Sequence, residues 1–212
     1  MKLGVLISGG GRTLLNLDKQ INQGKLDATI AVVISSSRKA AGVERAEALG
    51  YPVHVALRKK TLSDEAYSEK ILSILDEHNV DLVILAGFLK KFLPGVRFHN
   101  RCVNIHPSLI PAFCGPGYYG SRVHEAVWKR GCRISGCTVH FVNDHYDDGP
   151  IILQRPVQLD ALDKPDDIAH KVFEEECKAL PEAINIIAKG GITIEQGRVI
   201  PNPDLKQKGA TT

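Results

Sequence analysis

The chain has 212 residues, 43% of them hydrophobic and 24% charged, with a formal net charge of +3. That length suits one large domain or two tightly joined halves around a sizeable core. A balance so close to neutral leaves no electrostatic footprint for nucleic acid or a membrane surface, though it is compatible with an anionic small molecule.

In chain order, KLGVLIS (2–8) is a short apolar run that stops in glycines, and it predicts a buried strand. It is too short for a signal peptide or a membrane span, so a cytoplasmic protein is expected. TLLNLDKQINQG (13–24) carries Leu14, Leu17 and Ile21 at helical spacing, with Gly24 as a C-terminal stop. ATIAVVIS (28–35) predicts a second buried strand, 40–50 a helix closed by Gly50, and PVHVA (52–56) a short strand. Over 63–79 a helix is predicted, capped by Ser63, with acids in its first turn and Ile71, Ile74 and Leu75 in period. DLVILAG (81–87) and CVNIH (102–106) are two further strands.

The second half changes style. A short helix is expected at 125–131, and two strand-like runs at 136–142 and 149–159 imply an antiparallel excursion. The stretch 164–191 predicts a long helix, bent or interrupted at Pro181 and ended by two glycines, followed by a hairpin that turns near Gln196 and Gly197. Strand–helix alternation with near-continuous apolar strands implies a parallel sheet with helices on both faces. The expected fold is a Rossmann-like, mostly parallel open α/β sheet with an antiparallel extension. It is read as one domain over 1–200, with residues 201–212 as a polar tail.

Five cysteines without a CxxC pair are read as free thiols in a reducing compartment, and their spacing suits no zinc site. SGGGRT (8–13), between the first strand and helix, lets backbone N–H groups face an anion at a helix N-terminus, and Arg12 could add a charged fork. It is neither a full dinucleotide fingerprint nor a Walker loop, so it reads as a phosphate site or as a plain tight turn. In NIHP, Asn104 and His106 share one face at the carboxyl end of a strand, and Pro107 closes the exit. An amide donor beside an imidazole suits an oxyanion and a proton shuttle; the bland alternative is an edge pair holding backbone. In NDHYDDGP, Asp144, Asp147 and Asp148 are turn formers first, though one carboxylate near an imidazole could hold it protonated. His140 and His54 read as satisfied core or face histidines.

LISGGGRTL, LAGFLKKFLP, NIHPSLIP and CTVHFVNDHYDDGPIILQ together resemble the folate-dependent formyltransferases over roughly residues 2–200. The resemblance implies transfer of the formyl group of 10-formyltetrahydrofolate to the amine of glycinamide ribonucleotide, with no metal and no nucleic-acid partner, by a monomer or homodimer. It implies Asn104, His106 and Asp147 as the catalytic set, with a protonated His106 held by Asp147. It implies Gly10, Gly11, Arg12, Thr13 and Glu176 on the ribonucleotide, so that 1–100 holds the phosphate. It implies Phe88, Leu89, Lys90, Phe92, Cys102, Val103, Asn143 and Asp144 on the folate, so that 101–200 is the catalytic half. Many members carry Ser-Asn where this chain has Arg12-Thr13, and some carry arginine at the place of Asp64. The stretch 114–127 is a few residues longer than usual, and its Tyr118-Tyr119 tip could cover the substrate. Relatives of the same family hydrolyse formyltetrahydrofolate or formylate a sugar-nucleotide amine, and these remain alternatives. Neither the extra N-terminal domain typical of the deformylases nor a C-terminal tRNA domain is expected.

Overall fold

The structure, a computed structural model, describes residues 1–202. Apart from its first two residues, the expected polar tail lies outside the described residues. Seven strands form one sheet in the order β3-β2-β1-β4-β5-β6-β7. They are β1 (Lys2–Ile7), β2 (Thr29–Ser35), β3 (Val53–Val55), β4 (Leu82–Leu85), β5 (Cys102–His106), β6 (Ile134–Phe141) and β7 (Ile151–Gln158). The first five run parallel, while β5–β6 and β6–β7 pair antiparallel, which gives the predicted extension. The small hairpin of β8 (Ile192–Glu195) and β9 (Arg198–Pro201) turns on Gln196 and Gly197, both at positive φ, as a two-residue hairpin turn requires.

Alternation along each buried strand feeds two cores. Leu3, Val5 and Ile7 of β1 face a cluster completed by α1 (Arg12–Asn22) and α5 (Pro165–Ala188). Leu6 faces the other side, where Tyr67, Ile71 and Leu75 of α3 (Asp64–Glu77) close the second cluster. The Ser63 hydroxyl accepts the Ala66 N–H at 3.1 Å and caps α3 as expected. The helix α2 (Ala41–Ala48) packs beside the glycine turn, and α4 (Ser121–Arg130) starts four residues before the predicted 125.

Pro181 does not interrupt α5, which runs for 24 residues through it. Its neighbours Ala179, Leu180, Ala183 and Ile184 are fully buried, so tertiary packing holds the helix together across the missing N–H donor. Strand order, not strand direction, reverses between β1 and β4: β2 and β3 are added on one side of them and β5 on the other. In such sheets the crevice at the carboxyl ends of these strands is where ligands bind.

Candidate active site

A cleft of about 290 Å³ opens at the carboxyl ends of β4 and β5. Its walls are residues 87–92 after β4, 104–107 at the end of β5, the loop 115–120, and His140 with 142–147. Of the residues expected on the folate, Phe88, Leu89, Lys90, Phe92, Asn143 and Asp144 line it. Cys102 and Val103 do not: both are fully buried below the cleft, at the start of β5, where the strand is covered on both faces. Tyr118 and Tyr119 stand in the wall. Tyr118 packs edge-on against Phe113 at 6.2 Å between ring centroids.

Asn104, His106 and Asp147 converge in this cleft. The β5–β6 pairing sets Asn104 opposite His140, and the Asn104 Nδ2 lies 3.2 Å from His140 Nε2 and 3.4 Å from Asp147 Oδ1. His140 Nδ1 lies 2.8 Å from the Phe141 carbonyl. A carbonyl only accepts, so Nδ1 carries a hydrogen, and in the neutral ring Nε2 accepts from the Asn104 amide nitrogen, which only donates; Nε2 also faces Asp147 Oδ1 at 3.7 Å, and a second ring proton would turn it to that carboxylate. His140 therefore fixes which way the Asn104 amide points. Its place in the sequence suggests only an ordinary core histidine. The imidazole faces Asn104 through the antiparallel register of β5 and β6, and that register is not visible in the sequence.

His106 is almost fully buried, at 3% exposure, and donates from Nε2 to the Phe113 carbonyl at 2.9 Å. Its Nδ1 faces Asp147 Oδ2 at 3.6 Å. Burial pulls the His106 pKa below the ordinary histidine value, and the Asp147 charge and the Phe113 carbonyl only partly oppose it. Burial thus works against the expected imidazolium, and the Asp147 charge works for it. Burial pushes the Asp147 carboxyl up, but His140, His106 and the Gly115 N–H together bring it below the usual carboxylate value. The Gly115 N–H reaches Asp147 Oδ2 at 2.8 Å. Asp147 adopts a left-handed backbone, φ 53°, and turns inward, while Asp148 is exposed and accepts from Asn143 Nδ2 at 3.4 Å. Behind His106 sits a further buried imidazole, His124 of α4, whose pKa burial lowers to about 4.

The glycine turn lies two strands away, at the end of β1. Gly11 caps α1 in a left-handed conformation, φ 72°, and the first turn holds no acidic residue and no side-chain cap. Among the described residues no side chain caps its N–H groups, which suits them to an anion. A side chain at Gly11 would put a Cβ 2.9 Å from the Gly42 Cα, so the turn depends on a glycine pair that no local sequence pattern reveals. The Arg45 guanidinium donates to the Gly10 carbonyl. Ser8 ties the turn to the cleft, accepting the Leu89 N–H at 2.8 Å and sharing a hydrogen bond of 2.6 Å with Ser36. Thr13 begins α1 behind Arg12. The Arg12 guanidinium stacks on the Phe173 ring of α5 at 3.7 Å, so in this state its fork lies against α5. Burial raises the neighbouring Glu176 to about 7, with Arg12 opposing the rise. At the mouth of the cleft Asp64 pairs with Arg58 at 2.9 Å and approaches Lys91 at 3.9 Å, so it belongs to the cleft rim.

A Rossmann-like sheet with an amide, two imidazoles and a carboxylate gathered at its carboxyl edge defines an α/β group-transfer enzyme. The profile of the family described as formyl transferase matches residues 1–184, and the chain belongs to that family. A chloroplastic phosphoribosylglycinamide formyltransferase of Arabidopsis thaliana is 37% identical over 191 residues, 89% of this chain and 65% of that protein. The Escherichia coli phosphoribosylglycinamide formyltransferase is 34% identical over 92% of this chain and 91% of its own length. The crystal structure of glycinamide ribonucleotide transformylase 1 from Symbiobacterium toebii superposes with a TM-score of 0.87 at 36% identity, over 95% of this chain and 93% of that one.

Proposed function

We propose that the protein transfers the formyl group of 10-formyltetrahydrofolate to the amine of glycinamide ribonucleotide, a step of purine biosynthesis. The observation that carries this reading is the convergence of Asn104, His106 and Asp147 in one cleft that Ser8 links to an uncapped helix N-terminus. The names of the relatives support the substrate pair. In this reading Phe88, Leu89, Lys90, Phe92, Asn143 and Asp144 hold the folate. Gly10, Gly11, Arg12 and Thr13 hold the phosphate, with Glu176 beside them.

The amine nitrogen attacks the formyl carbon, and the carbonyl electrons move to oxygen. The tetrahedral adduct collapses, the bond from carbon to the folate nitrogen breaks, and one amine proton ends on that nitrogen. One Asn104 Nδ2 hydrogen goes to His140; the other, held only loosely by Asp147 at 3.4 Å, is the one left to meet the oxyanion. Such a donor is worth several kcal/mol, about 3, in a transition state. In this reading His106 starts neutral with its lone pair at Nδ1, beside Asp147. It takes up the amine proton there, and the Asp147 charge favours the imidazolium as it forms, before the proton passes to the leaving nitrogen. The formyl group is already activated, so no step calls for a metal.

All five cysteines are free, which supports a reducing compartment such as the cytoplasm. No helix among the described residues is long and apolar enough to cross a membrane. Asn104, His106 and Asp147 belong to one chain, which is compatible with a monomer or a homodimer. The test is incubation with 10-formyltetrahydrofolate, with and without glycinamide ribonucleotide, following folate release and the mass of the product. Release only with the amine, together with a formylated ribonucleotide, is expected. Release without it would make the protein a hydrolase.

A further inference from the structure

A pair of histidines lies far from the cleft, and neither the fold nor the chemistry above uses it. His54, in the edge strand β3, and His78, at the C-terminal cap of α3, bring their Nε2 atoms to 3.2 Å. Their rings meet edge to face, with centroids 5.2 Å apart and planes at 73°. Both side chains are half-buried.

We propose that His54 and His78 form a two-imidazole site for a borderline divalent transition metal, zinc first, that ties β3 to the end of α3. The spacing is the first argument. Two imidazole nitrogens at about 2.0–2.1 Å from a tetrahedral zinc stand about 3.3–3.4 Å apart, and about 2.9 Å apart on neighbouring octahedral positions. The observed 3.2 Å lies between these values. The position is the second. The C-terminus of a helix carries partial negative charge that favours a cation. The last turn of α3 has no basic residue of its own; of the two acids before His78, Asp76 is paired with Arg97 at 2.8 Å and Glu77 is exposed.

Ligand type sets the choice of ion. Imidazole suits zinc, nickel and copper, whereas magnesium and calcium want oxygen. With two protein ligands the remaining positions belong to water, so the metal exchanges and its affinity is modest. The gain is mechanical. β3 is only three residues long, pairs with β2 alone and ends the sheet, so a bridge to α3 would fasten its loosest strand.

The test is a zinc titration of chelator-treated protein, by calorimetry and by thermal unfolding, with magnesium as the control ion. One zinc site is expected, with a rise in melting temperature that magnesium does not produce. His54→Gln and His78→Gln should each weaken zinc binding tenfold or more and abolish the thermal gain. Equal zinc binding by both variants would put the ion on the cysteines or the cleft imidazoles and overturn the proposal. So would no binding by the wild type, which would leave the contact a hydrogen bond between rings. Should either variant fail to fold, imidazole nitrogen NMR of the wild type decides. Zinc must then shift the Nε2 resonances of His54 and His78 together, and unmoved resonances reject the site.

Discussion

The Asp147 carboxylate stands 3.6 Å from His106 Nδ1, too far for a hydrogen bond, while the same oxygen accepts the Gly115 N–H at 2.8 Å. The backbone holds the carboxylate in place, and its charge waits for a proton to reach His106. Asp147→Asn keeps size and most contacts but removes that charge. Turnover at saturating substrates should fall by orders of magnitude, with folate binding largely kept. Asp148→Asn should retain most activity, because Asp148 is exposed and serves the turn before Gly149. Steady-state kinetics of the two variants side by side would show it, and the opposite ranking rejects this assignment.

His106 is a buried group as well as a reacting one. His106→Ala would take one of the donors from the Phe113 carbonyl, although the Ser108 hydroxyl also reaches that oxygen at 3.3 Å. The stability loss should therefore stay at about 1–3 kcal/mol. The fold should persist with a lower melting temperature, while turnover drops by several orders of magnitude. If activity is lost only in proportion to the unfolded fraction, His106 is structural.

His140 acts through Asn104. His140→Phe keeps the volume but removes the acceptor that orients the amide. The turnover number should fall about 10–100-fold, the scale of a misplacement near 1 Å, with the Michaelis constants little changed. His140→Gln keeps an acceptor oxygen and should recover part of the loss. Equal damage by both variants would show that packing alone is at stake.

Much of this arrangement is legible in the sequence because it rests on local signals. Apolar runs mark the buried strands, Ser63 the start of α3, and the two-residue spacing of Asn104 and His106 a shared face at a strand end. What stays hidden depends on distant partners. The antiparallel register that aims His140 at Asn104 joins residues 36 apart in sequence. The continuity of α5 through Pro181 comes from buried neighbours, and the Gly11–Gly42 contact from the approach of two helices. The downward pull on the His106 pKa follows from burial, which composition does not report.

Arg12 rests on Phe173 at 3.7 Å and must leave that ring to reach a phosphate on the glycine turn. Arg12→Ala should raise the Michaelis constant for the ribonucleotide tenfold or more, since a charged hydrogen bond contributes about 1.5–3 kcal/mol. The constant for the folate should hardly move. Unchanged ribonucleotide affinity would leave the turn to bind phosphate through its backbone alone.

Glu176 supplies a pH signature for the same region. Its pKa is raised by burial from 4.5 to about 7 in the folded chain. Between those two values the folded state binds more protons than the unfolded one, so this group makes stability fall as pH rises through the window. The full effect approaches about 3 kcal/mol, since each tenfold change in proton affinity is worth roughly 1.4 kcal/mol. Glu176→Gln cannot ionise and keeps nearly the same volume. Relative to the wild type, the variant should gain stability steadily from pH 4.5 to about 7, and urea unfolding at a series of pH values measures the difference. A difference that stays flat across that range would mean that Glu176 is charged throughout and that Arg12 outweighs its burial.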